Sequence, residues 1–174
     1  MTAVHGRLDN GELRQTFGTF ATGVTVVTVG GAEPHGMTAN SFTTVSLDPA
    51  LVLVCVARDA IMHQALAASR VFGVSVLAAG QEDVGRYFAD SKRPIGRAQF
   101  DYVDSSPGPA TGVPLIDGAV ARYECELWRG YDGGDHTIFV GQLVTLQRGQ
   151  DDDVLVFLRG KFRRLDQAPR DLVS

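Results

Sequence analysis

Residues 36–56, GMTANSFTTVSLDPALVLVCV, decide how the chain is read. The first ten carry five hydroxyl or amide side chains, Thr38, Asn40, Ser41, Thr43 and Thr44, yet they lie between two apolar runs, GVTVVTV (23–29) and ALVLVCVA (50–57). Both runs are rich in β-branched residues and read as buried strands. In an extended chain Thr38, Asn40 and Phe42 point one way while Ala39, Ser41 and Thr43 point the other, so a strand over 38–47 has no purely apolar face. Two readings fit it. One is a solvent-facing edge strand. The other is a strand whose backbone and short polar side chains hold a planar heteroaromatic ligand with a polar tail, Gly36 and Ala39 being small enough to let a ring approach the main chain.

Upstream, Asp9 and Glu12 have the spacing of a capping box and Leu13, Phe17 and Phe20 recur at helical intervals, which predicts a short amphipathic helix ended by Gly23. Strands are expected over 24–29, 38–47 and 51–57, with Asp48 and Pro49 forming a tight turn in SLDPAL. Asp59 is expected to cap a helix running to Ala68 with Ile61, Ala65 and Leu66 on one face. A strand over 71–77 and a helix over 81–88 follow. Residues 89–114, with Pro94, Pro107, Pro109 and Pro114, read as a long functional loop. Strands over 119–129, 137–147 and 154–159, joined by GYDGGD and the charged turn RGQDDD, complete the pattern.

Strands outnumber helices and hairpin-length links join them. The expected fold is therefore mainly β (α+β): an antiparallel barrel with flanking helices, in one domain of 174 residues. No Gly-x-Gly-x-x-Gly opens a helix after a strand, which argues against a Rossmann nucleotide site.

The net charge of −4 is spread along the chain, without the clustered basic footprint that nucleic acid requires. No uninterrupted apolar run is long enough to span a membrane, and MTAVHGRLDNGELRQ lacks the plan of a signal peptide, so a cytoplasmic protein is expected. Cys55 and Cys125 sit in apolar runs and read as buried thiols in a reducing compartment. His5, His35, His63 and His136 show no paired ligand spacing, so no metal is expected.

Two further stretches carry chemistry-bearing side chains. In GGDHTIFVG (133–141), Asp135 and His136 open an apolar strand just after a glycine-rich turn. A histidine there serves as general acid, as partner for an anionic ring, or as a satisfied surface residue. DSKRPIGR (90–97) places Lys92, Arg93 and Arg97 beside a helix end, either as a solvated face or as a guanidinium fork for a phosphate. No Gly-x-Ser-x-Gly or activated cysteine is present.

FATGVTVVTV, GMTANSFTTVSLDPALVLVCV, FGVSVLA, RYFA and GDHTIFVGQL, in this order and spacing, resemble the short-chain flavin reductase family, the reductase partners of two-component flavin monooxygenases. The similarity runs from about residue 13 to residue 165. The resemblance implies a homodimer of a Greek-key split β-barrel of the FMN-binding type. Such an enzyme reduces FMN or FAD with NADH or NADPH and releases reduced flavin to a monooxygenase. It further implies that Thr38, Ala39, Asn40 and Ser41 line the isoalloxazine, that Ser46, Leu47 and Asp48 add contacts to ring and ribityl chain, and that Cys55, Val56, Ala57 and Arg58 run past the ribityl and phosphate. His136 matches the histidine facing flavin and nicotinamide, and Phe162 an aromatic near the second subunit's site. The loop reads FADSKRPIGRAQF where relatives carry a Gly-rich FAG, so Lys92 and Arg93 match less closely; Arg93 is retained as a phosphate ligand. Two other activities fit the same barrel. One is a non-turnover flavin- or haem-binding carrier. The other is an oxidase of a phosphorylated pyridine vitamer, which needs an Arg and Lys cluster.

Overall fold

The computed structural model describes residues 8–150 and 153–165. Helix α1 (Asn10–Phe17) is followed by strands β1 (Thr22–Gly23), β2 (Thr25–Val29), β3 (His35–Ala39), β4 (Thr43–Leu47) and β5 (Ala50–Ala57). Helix α2 (Ile61–Ala68), strand β6 (Val71–Val76) and helix α3 (Glu82–Ala89) come next, then a 3-10 turn over Gly96–Phe100. The remaining strands are β7 (Ser105–Pro107), β8 (Pro114–Ile116), β9 (Ala121–Gly133), β10 (His136–Arg148), β11 (Val156–Leu158) and β12 (Lys161–Arg163).

Seven of these strands form one antiparallel sheet in the order β3-β2-β6-β9-β10-β5-β4. Its two edges, β3 and β4, are consecutive in sequence with only residues 40–42 between them, so the sheet must curl until its edges meet. No ladder joins β3 to β4. Instead the Ser41 hydroxyl accepts from the Cys55 N–H at 3.1 Å and donates to the Cys55 carbonyl at 2.9 Å, which fastens the seam to β5. The result is a barrel with one open slit. This is the antiparallel barrel with flanking helices that the sequence pattern predicts, split as the family resemblance implies.

The polar stretch is thus not one strand over 38–47 but two strands at opposite edges with a corner between them. The corner explains the composition: Ser41 replaces a missing ladder bond, and exposed Asn40 turns out to solvent. β2, by contrast, is buried along its whole length because both its faces are covered. Val27 and Val29 join Val52, Val54, Val56, Phe72, Val74 and Phe139 in one core, closed by Met62 and Leu66 of α2. Val24 and Val26 face a second core with Leu77, Phe88, Ile116 and Leu155.

Several boundaries differ from the pattern. Asp9 does cap α1, its Oδ1 accepting from the Glu12 N–H at 3.0 Å, but the helix ends at Gly18 and Gly23 belongs to β1. No residue of α1 is buried, and Phe17 and Phe20 are exposed. Ala60, not Asp59, occupies the N-cap position of α2, without a side-chain bond. Ile61 points outward while Met62 and Leu66 are buried, so the buried face of α2 runs through 62 and 66 rather than through 61 and 65. The 89–114 segment holds the 3-10 turn and β7, pinned by buried Gln99, which accepts from the Gly36 N–H at 2.8 Å and donates to the Pro34 and Gly96 carbonyls. Ladder pairing of β9 with β10 continues to Gly133 opposite His136, leaving only Gly134 and Asp135 as the turn. The RGQDDD turn falls partly outside the described residues. The last strand of the pattern is shorter than 154–159 and is followed by β12, which pairs with it.

Candidate active site

A cleft of about 410 Å³ opens beside β3. Its floor is His35, Met37 and Thr38; one wall is residues 59–62 at the start of α2; the other is Phe88 and Ala89 of α3 with Ser91, Arg93 and Ile95 beyond it. Two features hold β3 against α3. The Thr38 hydroxyl donates to the Gly85 carbonyl at 2.7 Å. Gly36 lies under the Phe88 ring so closely that a Cβ there would stand 2.5 Å from Phe88 Cε1, so only glycine allows this approach.

Arg93 is the dominant charge in the cleft. Its guanidinium donates to the Asp90 carbonyl at 2.7 Å, to the Gly36 carbonyl and to His35 Nε2 at 3.3 Å, and it stands 5.8 Å over the Phe88 ring. All of these partners are neutral. Among the described residues Arg93 forms no ion pair with a carboxylate, and its Nε is buried without a partner. Burial lowers the pKa of Arg93 from its ordinary value, with Tyr87 and Asp90 pulling it back up. Because an arginine only donates, His35 Nε2 accepts and the ring carries its proton on Nδ1. Burial, reinforced by the neighbouring Arg93 charge, lowers the pKa of His35 to about 4, so the imidazole is neutral around neutral pH. A cation whose hydrogen-bond partners are all neutral is a ready site for an anionic ligand group.

Of the residues singled out by sequence, Thr38 and Arg93 line this cleft and Ala39 is buried just beyond it. Asn40 and Ser41 form the seam corner next along the chain. Ser46, Leu47 and Asp48 lie at the far end of β4, where Leu47 is 96% exposed and the Asp48–Pro49 bond is cis. Val56 points into the barrel core, while Cys55 and Ala57 are half-buried on β5; both cysteines carry free thiols. Burial raises the pKa of each thiol, that of Cys125 to about 12.

Arg58 is committed elsewhere: its Nε donates to the Gly134 carbonyl at 2.9 Å and its Nη2 pairs with Asp132 at 2.9 Å, locking the β9–β10 turn. His136 stands at that same turn opposite Ala57, its Nδ1 2.7 Å from Asp135 Oδ1. The Arg58 N–H donates to the Asp135 carbonyl, so the turn abuts Asp59 and Ala60 on the cleft wall. Phe162 packs edge-on against Phe157 with the Arg86 guanidinium over its ring, behind α3 rather than in the cleft. In a single chain it does not meet Thr38.

His35 and Gln99 belong to the cleft and its support without being marked out by the sequence pattern. Gln99 left no signal, because a buried glutamine five residues after a proline looks like any loop residue. His35 left one, a lone histidine beside Gly36 opening the polar stretch, but its partner is 58 residues away. A larger opening, about 510 Å³ between the end of α2 and β9, is lined by Arg70 and Glu126 among small residues and gathers no such group of shifted or unpaired side chains.

These residues suit a flavin: a floor of β3 with Met37 and Thr38, an apolar wall at Phe88, and a guanidinium without a carboxylate partner for a phosphate. The fold and cleft define a split-barrel, flavin-binding class of protein. The family model for the flavin reductase like domain matches residues 17–166. The chain is 58% identical over 156 residues to an NADH-dependent FAD reductase of Streptomyces globisporus, covering 90% of this chain and 86% of that one. It is 38% identical over 165 residues to an NADH-dependent FMN reductase of Agrobacterium fabrum, covering 94% and 91%. The crystal structure of BorF, the flavin reductase component of a bacterial two-component tryptophan halogenase, superposes with a TM-score of 0.88 at 55% identity, covering 92% of this chain and all of that one. The chain belongs to the flavin reductase like family, nicotinamide-dependent flavin oxidoreductases.

Proposed function

We propose that this chain reduces FAD or FMN with NADH in the cleft beside β3 and releases the reduced flavin to a separate monooxygenase, working as a cytoplasmic homodimer. The observation that carries this reading is Arg93, a half-buried cation whose hydrogen-bond partners are all neutral, on the wall of a cleft beside the apolar Met37, Met62 and Phe88. When bound, the flavin supplies the hydride-accepting ring. The residues of the chain place and shield it. Thr38 and the β3 backbone form the floor, Met37 and Phe88 exclude water, and Arg93 holds the phosphate. His136, paired with Asp135 at the turn beside Asp59, acts by orientation and charge rather than as an indispensable acid.

The phosphorylated-pyridine oxidase reading needs several cations on one phosphate, and among the described residues Arg93 is the only Lys or Arg lining this cleft. No helix among the described residues is long and apolar enough to cross a membrane. Exposed Val45 and Leu47 on β4 and Val144 and Leu146 on β10 provide apolar surface for a second subunit.

Flavin-fluorescence titration and NADH oxidation with FMN or FAD test the reading. Both flavins are expected to bind and to drive NADH oxidation, and Arg93→Met is expected to weaken both by about tenfold or more, the loss of one charge-assisted contact. Absence of flavin binding, or equal affinity in Arg93→Met, overturns it. Sedimentation of the purified chain tests the homodimer.

A further inference from the structure

Gln99 is a polar side chain with no exposed surface, and it does not line the cleft. Burying an amide costs stability unless its groups are bonded, and here they are. Oε1 accepts from the Gly36 N–H at 2.8 Å, and Nε2 donates to the Pro34 and Gly96 carbonyls, both at 2.9 Å. An apolar side chain could fill the same space. What the amide adds is a fixed relation between two segments of chain.

The first segment is β3, an edge of the main sheet that pairs with β2 on one side and, among the described residues, with no strand on the other. Residues two apart in a strand turn their backbone polar groups to the same side, so the free side offers the Pro34 carbonyl and both the N–H and the carbonyl of Gly36. Gln99 bonds the first two, and the Arg93 guanidinium donates to the third. The two side chains together stand where a neighbouring strand would, and they meet on Gly36. His35, which also accepts from Arg93, lies between the two residues that Gln99 holds.

The second segment is the turn at Gly96, where φ is +65° and which follows Arg93 by three residues. Gln99 therefore holds both the strand that receives the guanidinium and the turn just beyond it. A guanidinium grips a phosphate through a flat fork of N–H groups, so its aim matters as well as its charge.

We infer that Gln99 is a positioning residue for flavin phosphate binding: it holds Gly36 and His35 where they aim Arg93, without touching the ligand. This rests on the reading in which Arg93 holds that phosphate.

The test compares FMN with riboflavin, which has the same ring and ribityl chain but no phosphate. Both are titrated by flavin fluorescence against the full chain, Arg93→Met, Gln99→Met and the double variant, at a temperature where thermal melts show each to be folded. The wild-type chain is expected to prefer FMN. Gln99→Met is expected to weaken FMN by about tenfold and riboflavin by no more than about twofold. The double variant is expected to bind FMN no more weakly than Arg93→Met, because the second change acts through a group already removed.

The unmodified chain provides a measurement that needs no variant to fold. Coupling is reciprocal, so if the hold on Gly36 strengthens phosphate binding, phosphate binding strengthens that hold. Hydrogen exchange at the Gly36 amide is expected to slow by about fivefold or more when saturating FMN replaces saturating riboflavin.

Equal losses for FMN and riboflavin in Gln99→Met overturn the inference, since a merely structural role moves both. So does an additive loss in the double variant, or a Gly36 amide protected alike by the two flavins. An Arg93→Met chain that keeps the wild-type ratio of FMN to riboflavin affinity is a different result, defeating the phosphate reading of Arg93 and the role of Gln99 with it.

Discussion

The Arg93 guanidinium donates to Nε2 of His35 across 3.3 Å, joining the wall of the cleft to its floor without a carboxylate in the pair. The contact exists only while His35 is neutral, because a protonated ring has no acceptor to offer and would set one cation against another. His35 is buried, and its pKa falls from 6.5 to about 4 on folding. Between these values the unfolded chain binds a proton that the folded chain refuses, so stability increases with pH across that window and is lost as pH falls toward 4. Arg93 is the charged group facing the ring, and it strengthens the effect. Urea melts from the upper to the lower end of that window are expected to show a fall on the order of 2 kcal/mol in the wild-type chain. His35→Gln cannot titrate and is expected to show a flatter profile. Parallel profiles in the two proteins would contradict the assignment.

Ser41 provides the second prediction. Its hydroxyl both accepts from and donates to the backbone of Cys55, taking the place of a ladder bond at the slit of the barrel. Ser41→Ala leaves an N–H and a carbonyl of β5 without that partner, at an expected cost of about 1–3 kcal/mol in chemical denaturation. Ser41→Thr keeps the hydroxyl and is expected to recover part of the loss. If alanine is tolerated without change in midpoint, water replaces the hydroxyl and the seam does not depend on it.

Ser41 also marks how far the sequence could be read. The apolar runs at 24–29, 51–57 and 71–77 were legible because burial on one or both faces imposes β-branched side chains, and all three are strands of the main sheet. The polar stretch between the first two was recognised as anomalous. Its division into β3 and β4 was not, because a corner between opposite sheet edges has the same short polar residues as a ligand-facing strand. Similarly, Thr38 and Arg93 were selected and line the cleft, whereas His35 and Gln99 depend on contacts of 58 and 63 residues' separation. Local pattern carries no trace of such pairs. Arg58 shows the converse: its type suited a phosphate, but the fold brings Asp132 and the Gly134 carbonyl to it first.

Glu124 gives an acid-stability prediction independent of the cleft. Its carboxylate is fully buried on β9 and accepts from the Thr111 N–H and hydroxyl, both at 2.6 Å, from the Ala110 N–H at 3.2 Å and from the Thr145 hydroxyl at 2.7 Å. Burial pushes its pKa up, but the hydrogen bonds from Thr111, Thr145 and Ala110 together outweigh it and hold the group below its ordinary value. A folded-state pKa below the unfolded one means stability that is complete above the ordinary carboxylate range and lost as pH falls through the folded value. Glu124→Gln turns one acceptor into a donor facing other donors, with an expected loss of about 2–3 kcal/mol and a weaker acid transition. Retention of the wild-type acid profile in this variant would place the transition elsewhere.

His136 tests how much chemistry belongs to side chains at all. It is the first residue of β10, opposite Ala57, with Nδ1 held at 2.7 Å by Asp135, and the turn carrying it is locked by Arg58 to Asp132 and Gly134. The Asp135 contact lowers that carboxyl's pKa, through the hydrogen bond first and the His136 charge second, so the pair favours a negative Asp135 beside the ring. Hydride transfer between two stacked flat rings needs no proton from the protein at the reacting carbon, so removing His136 should slow the reaction without abolishing it. His136→Ala is expected to lower the rate of NADH-dependent flavin reduction by one to two orders of magnitude, about 1.4–3 kcal/mol of barrier. Asp135→Asn, which keeps the turn but weakens the hold on the imidazole, should cost less and act mainly on kcat, with flavin affinity unchanged. Stopped-flow measurement of the hydride step separates the outcomes. A rate equal to wild type in His136→Ala removes the residue from the site, and a complete loss makes it a required acid, contrary to the orienting role proposed for this half-buried, tethered residue.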